Sequence, residues 1–140
     1  MEAFCGIWKL TDTEGFNEIT QRLGLNSAQR TVAMTSKPTM VIAPLGECYS
    51  LKMSNGFQLH EFVFTLNNEF DLNTINGDQV KTLITLEGNT LKQVDTGDKI
   101  IYVDRVVEGD TLTVTTRVDE LVSVRRYIRT SLCDEQSDPQ

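Results

Sequence analysis

The sequence predicts an all-β protein, a ten-stranded up-and-down antiparallel β-barrel (clam) with a helix–turn–helix lid after the first strand. Three observations carry this. Turn dipeptides fall at Leu45-Gly46, Asn55-Gly56, Asn67-Asn68, Asn76-Gly77, Gly88-Asn89, Gly97-Asp98, Gly109-Asp110 and Asp119-Glu120, in steps of 10, 12, 9, 12, 9, 12 and 10 residues. That spacing belongs to a meander closed as a barrel or folded as a sandwich. The intervening segments are β-branched and aromatic. Helical periodicity is confined to one interval before Pro38.

Gly6–Leu10 reads as the first strand, with Ile7, Trp8 and Leu10 supplying bulk. The polar Thr11–Gly15 follows, where Asp12 or Thr13 can cap a helix. In Glu14–Leu23, Phe16, Ile19 and Leu23 recur at i, i+3 and i+7, and Gly24 stands where a helix C′ glycine belongs. A second helix starts near Asn26, with Gln29 placed for a capping box, and ends by Thr35, ahead of Lys37-Pro38. Both helices are too short to persist alone, so they dock on each other and on the mouth of the sheet. Nine strands follow: Thr39–Ala43, Cys48–Met53, Phe57–Leu66, Glu69–Thr74, Val80–Leu86, Leu91–Val94, Lys99–Val107, Thr111–Val118 and Leu121–Thr130. Residues 1–130 form one domain, and 131–140 read as a polar, acidic tail.

Composition narrows the function. At 140 residues, the chain can bury a core unaided. A formal charge of −7 and a pI near 4.6 argue against an extensive nucleic-acid surface. No apolar run approaches the roughly 18 residues of a membrane span, and the N-terminus lacks the basic start and apolar core of a secretory signal. Cys5, Cys48 and Cys133 make an odd count without metal-ligand spacing, which fits reduced thiols in a cytoplasmic protein.

Strand parity picks out a candidate site. Alternation puts Ser123, Arg125, Tyr127 and Arg129 on one face of the last strand. Ile101, Val103, Arg105 and Val107 share a face two strands earlier, so Arg105 is a single cation in an apolar row. An isolated cation there is costly unless an anion meets it. Arg105, Arg125 and Tyr127 together offer guanidinium forks and a phenol hydroxyl to a carboxylate. Parity alone leaves open that these arginines face solvent or pair with Asp and Glu.

With Gly6-x-Trp8-x-Leu10, Phe16, the helix pair, Lys37-Pro38, Phe57 and the closing Arg125-x-Tyr127-x-Arg129, residues 1 to about 130 resemble the cytosolic fatty-acid-binding proteins. The likeness looks nearest to the branch containing the heart and adipocyte types and their invertebrate relatives. Tyr102–Gly109 with Asp119–Val122 looks particularly like the flatworm members. The resemblance implies an intracellular lipid-binding, calycin-like carrier that holds a long-chain fatty acid in an internal cavity. In that family two arginines and a tyrosine bind the carboxylate, and they match Arg105, Arg125 and Tyr127 here. Phe16 and Phe57 would line the portal and Met40 the cavity, although all three can equally be core. The implied protein is a monomer without cofactor or catalytic step, making transient membrane contact through its helical lid.

The chain also departs from the family. Asn17 stands where an acidic residue is usual, Thr20 replaces an apolar one, and Asp78 occupies a common portal-arginine position. Gln21 and Thr31 replace cations of a basic helix patch, leaving Arg30, so nuclear import is not implied. A carrier of another acidic lipid, such as retinoic acid or an eicosanoid, would share the triad. A barrel-scaffold enzyme is the rival of another class. His60, the single histidine, has no sequence-placed nucleophile and reads as a strand or surface residue.

Overall fold

The computed structural model describes residues 1–35, 37–54, 59–73 and 78–131, with side chains throughout except 32–35 and 59. After a short 3₁₀ turn at Glu2–Phe4, strand β1 (Gly6–Glu14) leads into helices α1 (Phe16–Arg22) and α2 (Ser27–Thr35). Nine strands follow: β2 (Thr39–Leu45), β3 (Cys48–Ser54), β4 (Leu59–Phe64), β5 (Phe70–Asn73), β6 (Gln79–Glu87), β7 (Thr90–Thr96), β8 (Ile100–Glu108), β9 (Thr111–Val118) and β10 (Leu121–Ser131). They form one ten-stranded sheet in the order β4-β3-β2-β1-β10-β9-β8-β7-β6-β5. The sheet curls into a nearly closed barrel. At its seam, the Phe62 and Phe70 rings of β4 and β5 lie 5.9 Å apart, and the backbone N–H of Asn67, in the β4–β5 turn, donates to Ile84 O of β6 at 2.8 Å.

The expected meander is therefore present, with strand ends shifted by at most four residues. The largest correction is β1, which runs to Glu14 rather than stopping at Leu10. Two register shifts, at Ile7/Trp8 and Leu10/Asp12, let it leave β2 and continue along β10. Its polar end is matched across the sheet, since Arg126 donates to Asp12 at 2.6 Å and Glu14 at 3.3 Å. Neither Asp12 nor Thr13 caps α1. That place belongs to Gly15, at φ +73°, where a Cβ would come within 2.3 Å of Val122 O.

The other helix ends follow their local chemistry. Gly24, at φ +90°, donates to Gln21 O and Leu25 donates to Thr20 O, both at 3.1 Å, a Schellman pair. Asn26 and Gln29 exchange side-chain and backbone bonds of 2.9 and 2.8 Å, the reciprocal box. Thr20 tolerates 3% exposure because its hydroxyl donates to Asn17 O at 2.9 Å. Ser131 ends β10 rather than starting a tail, and 132–140 lie outside the described residues.

The apolar core fills the barrel floor around Phe4, Trp8, Met40, Ile42, Leu91 and Leu112. Arg129 closes this end. It stacks 4.4 Å over the Trp8 ring and donates to Cys5 O at 2.6 Å and Ala3 O at 2.9 Å. Trp8 Nε1 donates to Phe4 O at 2.9 Å.

Candidate ligand-binding site

Above the packed floor lies a cavity of about 590 Å³, within the range that holds a small ligand. Leu51, Met53, Phe62, Leu72, Val80 and Ile101 make its wall largely apolar. The polar interruptions are Gln93, Asp95 and Arg105 within, and Arg22, Asp78, Asp98 and Lys99 at the rim.

Arg105 reaches the cavity because β8 alternates as expected, with Val103 and Arg105 buried and Tyr102 outside. It ends a line of hydrogen bonds crossing three strands. Arg105 Nη1 donates to Gln93 Oε1 at 2.9 Å, and Gln93 Nε2 donates to Asp95 Oδ1 at 3.0 Å. The Thr82 hydroxyl donates to the same Asp95 oxygen at 2.9 Å. This line orients the Gln93 amide, whose oxygen faces the guanidinium. It does not satisfy Arg105, whose Nε is buried without a partner. Burial lowers the Arg105 pKa to about 10, against the opposing charges of Tyr127 and Asp95. The group is a cation at neutral pH, at a cost on the order of 3 kcal/mol to the folded state.

Arg105 on β8 and Arg125 on β10 both register against Val114 of β9, so they flank it on the inner face. Arg125 is 7% exposed, stacks 3.9 Å over the Phe16 ring and donates from Nε to Thr13 Oγ1 at 3.3 Å. Among the described residues it has no carboxylate partner, and burial lowers its pKa. Tyr127, 2% exposed, lies in the field of both guanidiniums; burial raises its pKa and the two cations oppose that rise. Ser123, next on this face, has a buried hydroxyl oxygen without a partner. Two cations and unused donors thus share one interior with too few anions, an arrangement suited to an anionic headgroup at the base of an apolar cavity.

Comparison with known proteins bears on what that headgroup is. No family model matches the chain. Over 131 residues it is 40% identical to fatty acid-binding protein homolog 2 of Echinococcus granulosus, covering 92% of this chain and 98% of that one. The chain belongs to the fatty acid-binding protein family. The crystal structure of Echinococcus granulosus fatty-acid-binding protein 1 superposes with a TM-score of 0.89 at 36% identity, over 93% of this chain and 99% of that one. The Schistosoma mansoni fatty acid binding protein, solved in complex with arachidonic acid, gives a TM-score of 0.88 at 28% identity, over 94% and 98%. The expected kinship with flatworm fatty acid-binding proteins is confirmed.

The candidate residues expected from the family do not all occupy one wall. Arg105 lines the cavity, while Arg125 and Tyr127 are buried on the same barrel face without contributing to the cavity lining described above. Phe16, half-buried at the start of α1, contacts Arg125. Met40 is 1% exposed and packs in the core with Trp8, its register partner on β1, and is not among the cavity-lining residues. Phe57 lies outside the described residues. His60, read as a strand or surface residue, stands on β4 and lines the cavity beside Phe62.

Sequence reasoning missed Thr13, Thr82, Gln93 and Asp95. Gln93 and Asp95 carried a signal: they alternate with Leu91 as inward positions of β7, polar where apolar residues are the rule. Of the rim, the sequence singled out Asp78 at a portal position but not the ion-pair cluster around Arg22. Arg22 on α1 makes a bidentate pair with Glu120 at 3.0 and 3.1 Å and a bond to Asp119 at 2.9 Å, and Lys99 approaches Asp119 at 3.5 Å. Hydrogen bonding to Arg22 holds the Glu120 carboxyl down at about 2. Arg22, still partly exposed, is thereby tied to the β9–β10 turn. Among the described residues, no group of three or more His, Cys, Asp or Glu side chains is placed to hold a metal ion.

Proposed function

We propose that the protein is an intracellular carrier that binds a long-chain fatty acid in this cavity, with its carboxylate held by Arg105, Arg125 and Tyr127. The observation that carries the reading is the pair of buried guanidiniums flanking Val114, one with an orphan Nε and the other with no anionic partner among the described residues. A carboxylate supplies the missing charge. The acyl chain supplies most of the affinity through burial against the apolar wall, about 0.8 kcal/mol per CH₂. The family's names and the arachidonic acid held by the Schistosoma relative support this ligand class. Carriage involves no chemical step: binding hides the chain from water and delivers it. Delivery would proceed from a cytoplasmic monomer through transient membrane contact of α1 and α2, the elements covering the mouth.

The test is calorimetric titration of delipidated protein with hexadecanoic acid and hexadecanol. Arg125→Gln keeps a donor but removes the charge. It should weaken acid binding roughly 10- to 150-fold and alcohol binding far less. Equal losses for both ligands would make Arg125 a structural residue and remove the carboxylate site.

A further inference from the structure

The headgroup reading leaves one cavity group unused. Asp95 is 7% exposed and lines the cavity, yet both of its protein hydrogen bonds, from Thr82 and Gln93, fall on Oδ1. Its other oxygen takes no bond from the described residues. Beyond Thr82 and Gln93 the nearby wall is apolar, with Ile101 opposite in register on β8, Val80 on β6 and Leu72 on β5. A plain acyl chain laid against Oδ2 would bury an acceptor without a donor, which is unfavourable.

We propose that Asp95 is a specificity-determining residue that accepts a hydrogen bond from a hydroxyl part-way along the ligand chain, so that the site selects hydroxylated long-chain fatty acids. The proposal rests on the fatty-acid reading and deepens it. Thr82 and Gln93 fix the carboxyl so that Oδ2 is presented before a ligand arrives. A hydroxyl matches that acceptor without bringing a charge into an apolar wall, as an amine would. The register also fixes where on the chain the hydroxyl must lie. Arg105 pairs with Leu91, four residues along β7 from Asp95, and its side chain leans to Gln93, two residues from it. At the rise of a strand, Asp95 is roughly 7–13 Å from the headgroup level. A mid-chain hydroxyl spans that distance, whereas one beside the carboxyl does not.

The probes are octadecanoic, 2-hydroxyoctadecanoic and 10-hydroxyoctadecanoic acids, titrated into wild type, Asp95→Leu and Asp95→Asn. Wild type should favour the 10-hydroxy acid over octadecanoic acid about tenfold, and the 2-hydroxy acid should show no such gain. In Asp95→Leu the order should reverse. Asp95→Asn keeps an oxygen for Thr82 and Gln93, which protects the fold, but turns an NH₂ donor toward the ligand, so the hydroxyl can only accept an uncharged bond and the preference should fall to about threefold. A 10-hydroxy preference that is absent in wild type, or unchanged in either variant, would overturn the role of Asp95. Failure of wild type to bind octadecanoic acid at all would instead overturn the fatty-acid reading itself.

Discussion

Arg125 and Arg129 stand four residues apart on one face of β10 and do opposite jobs. Each stacks on an aromatic ring, Phe16 for Arg125 and Trp8 for Arg129. Arg129 spends its donors on Cys5 O, Ala3 O, Gly109 O and Asp110, tying the N-terminal turn and the β8–β9 turn to the last strand. Arg125 has one 3.3 Å bond to a threonine. The closed end of the barrel satisfies its cation internally, and the cavity end leaves its cations short of anions. Burial of an arginine therefore does not reveal its role. The number of acceptors around it does.

The largest effect that separates the two ends should come from Arg129→Met. Carbonyls at Ala3 and Cys5 lose their donor and Trp8 loses its cation, so unfolding free energy should fall by about 3 kcal/mol. Urea denaturation measures this, while affinity for hexadecanoic acid should stay within about twofold. A binding loss as large as that of Arg125→Gln would erase the contrast.

Arg125→Gln should behave the other way round. Acid affinity falls by about 1.5–3 kcal/mol, and the ligand-free protein holds or gains stability because a buried cation without an anion is gone. Denaturation of the delipidated variant checks the second half: marked destabilisation would place Arg125 with Arg129 among the structural arginines.

Titration sharpens the comparison at Arg105. Its folded pKa is lowered to about 10, so the folded chain binds fewer protons than the unfolded chain above that value. Ligand-free stability should therefore carry the full cost of the buried cation below pH 10 and recover it as pH rises toward the ordinary arginine range. Fatty-acid affinity should run opposite, level from pH 7 to about 10 and declining above. In Arg105→Gln that decline should vanish. Affinities measured across this range would contradict the assignment if wild type and variant declined together.

The smallest effect belongs to the rim. Glu120→Gln removes one carboxylate from the cluster that ties Arg22 to the β9–β10 turn. Hydrogen exchange should quicken at residues 16–22 and stay unchanged at 121–128. Because the Glu120 pKa is depressed to about 2, its contribution is complete above the ordinary carboxylate range and is lost as pH falls toward 2. Equal exchange in α1 and β10, in wild type and variant alike, would mean that α1 belongs to the stability core and is not a lid.

What the sequence by itself determined was everything written within a few residues. Turn dipeptides set the meander, Gly24 and the Asn26/Gln29 pair set the helix ends, and period-2 alternation put Arg125 and Tyr127 on one strand face and Arg105 in an apolar row, without saying which face was inward. These signals survive because a two-residue turn or a strand's pleat needs no knowledge of distant partners. Only the tertiary structure decided which strand lay beside which polar residue. The polar Thr11–Glu14 continued as strand because Arg126, more than a hundred residues away, offered the carboxylates of Asp12 and Glu14 a donor. The line from Thr82 through Asp95 and Gln93 to Arg105 exists because the β6–β7–β8 register sets three strands side by side. Arg22 found Glu120 across 98 residues of chain. A long-range pair leaves no periodicity in the sequence, and the same residue types are equally at home in solvent.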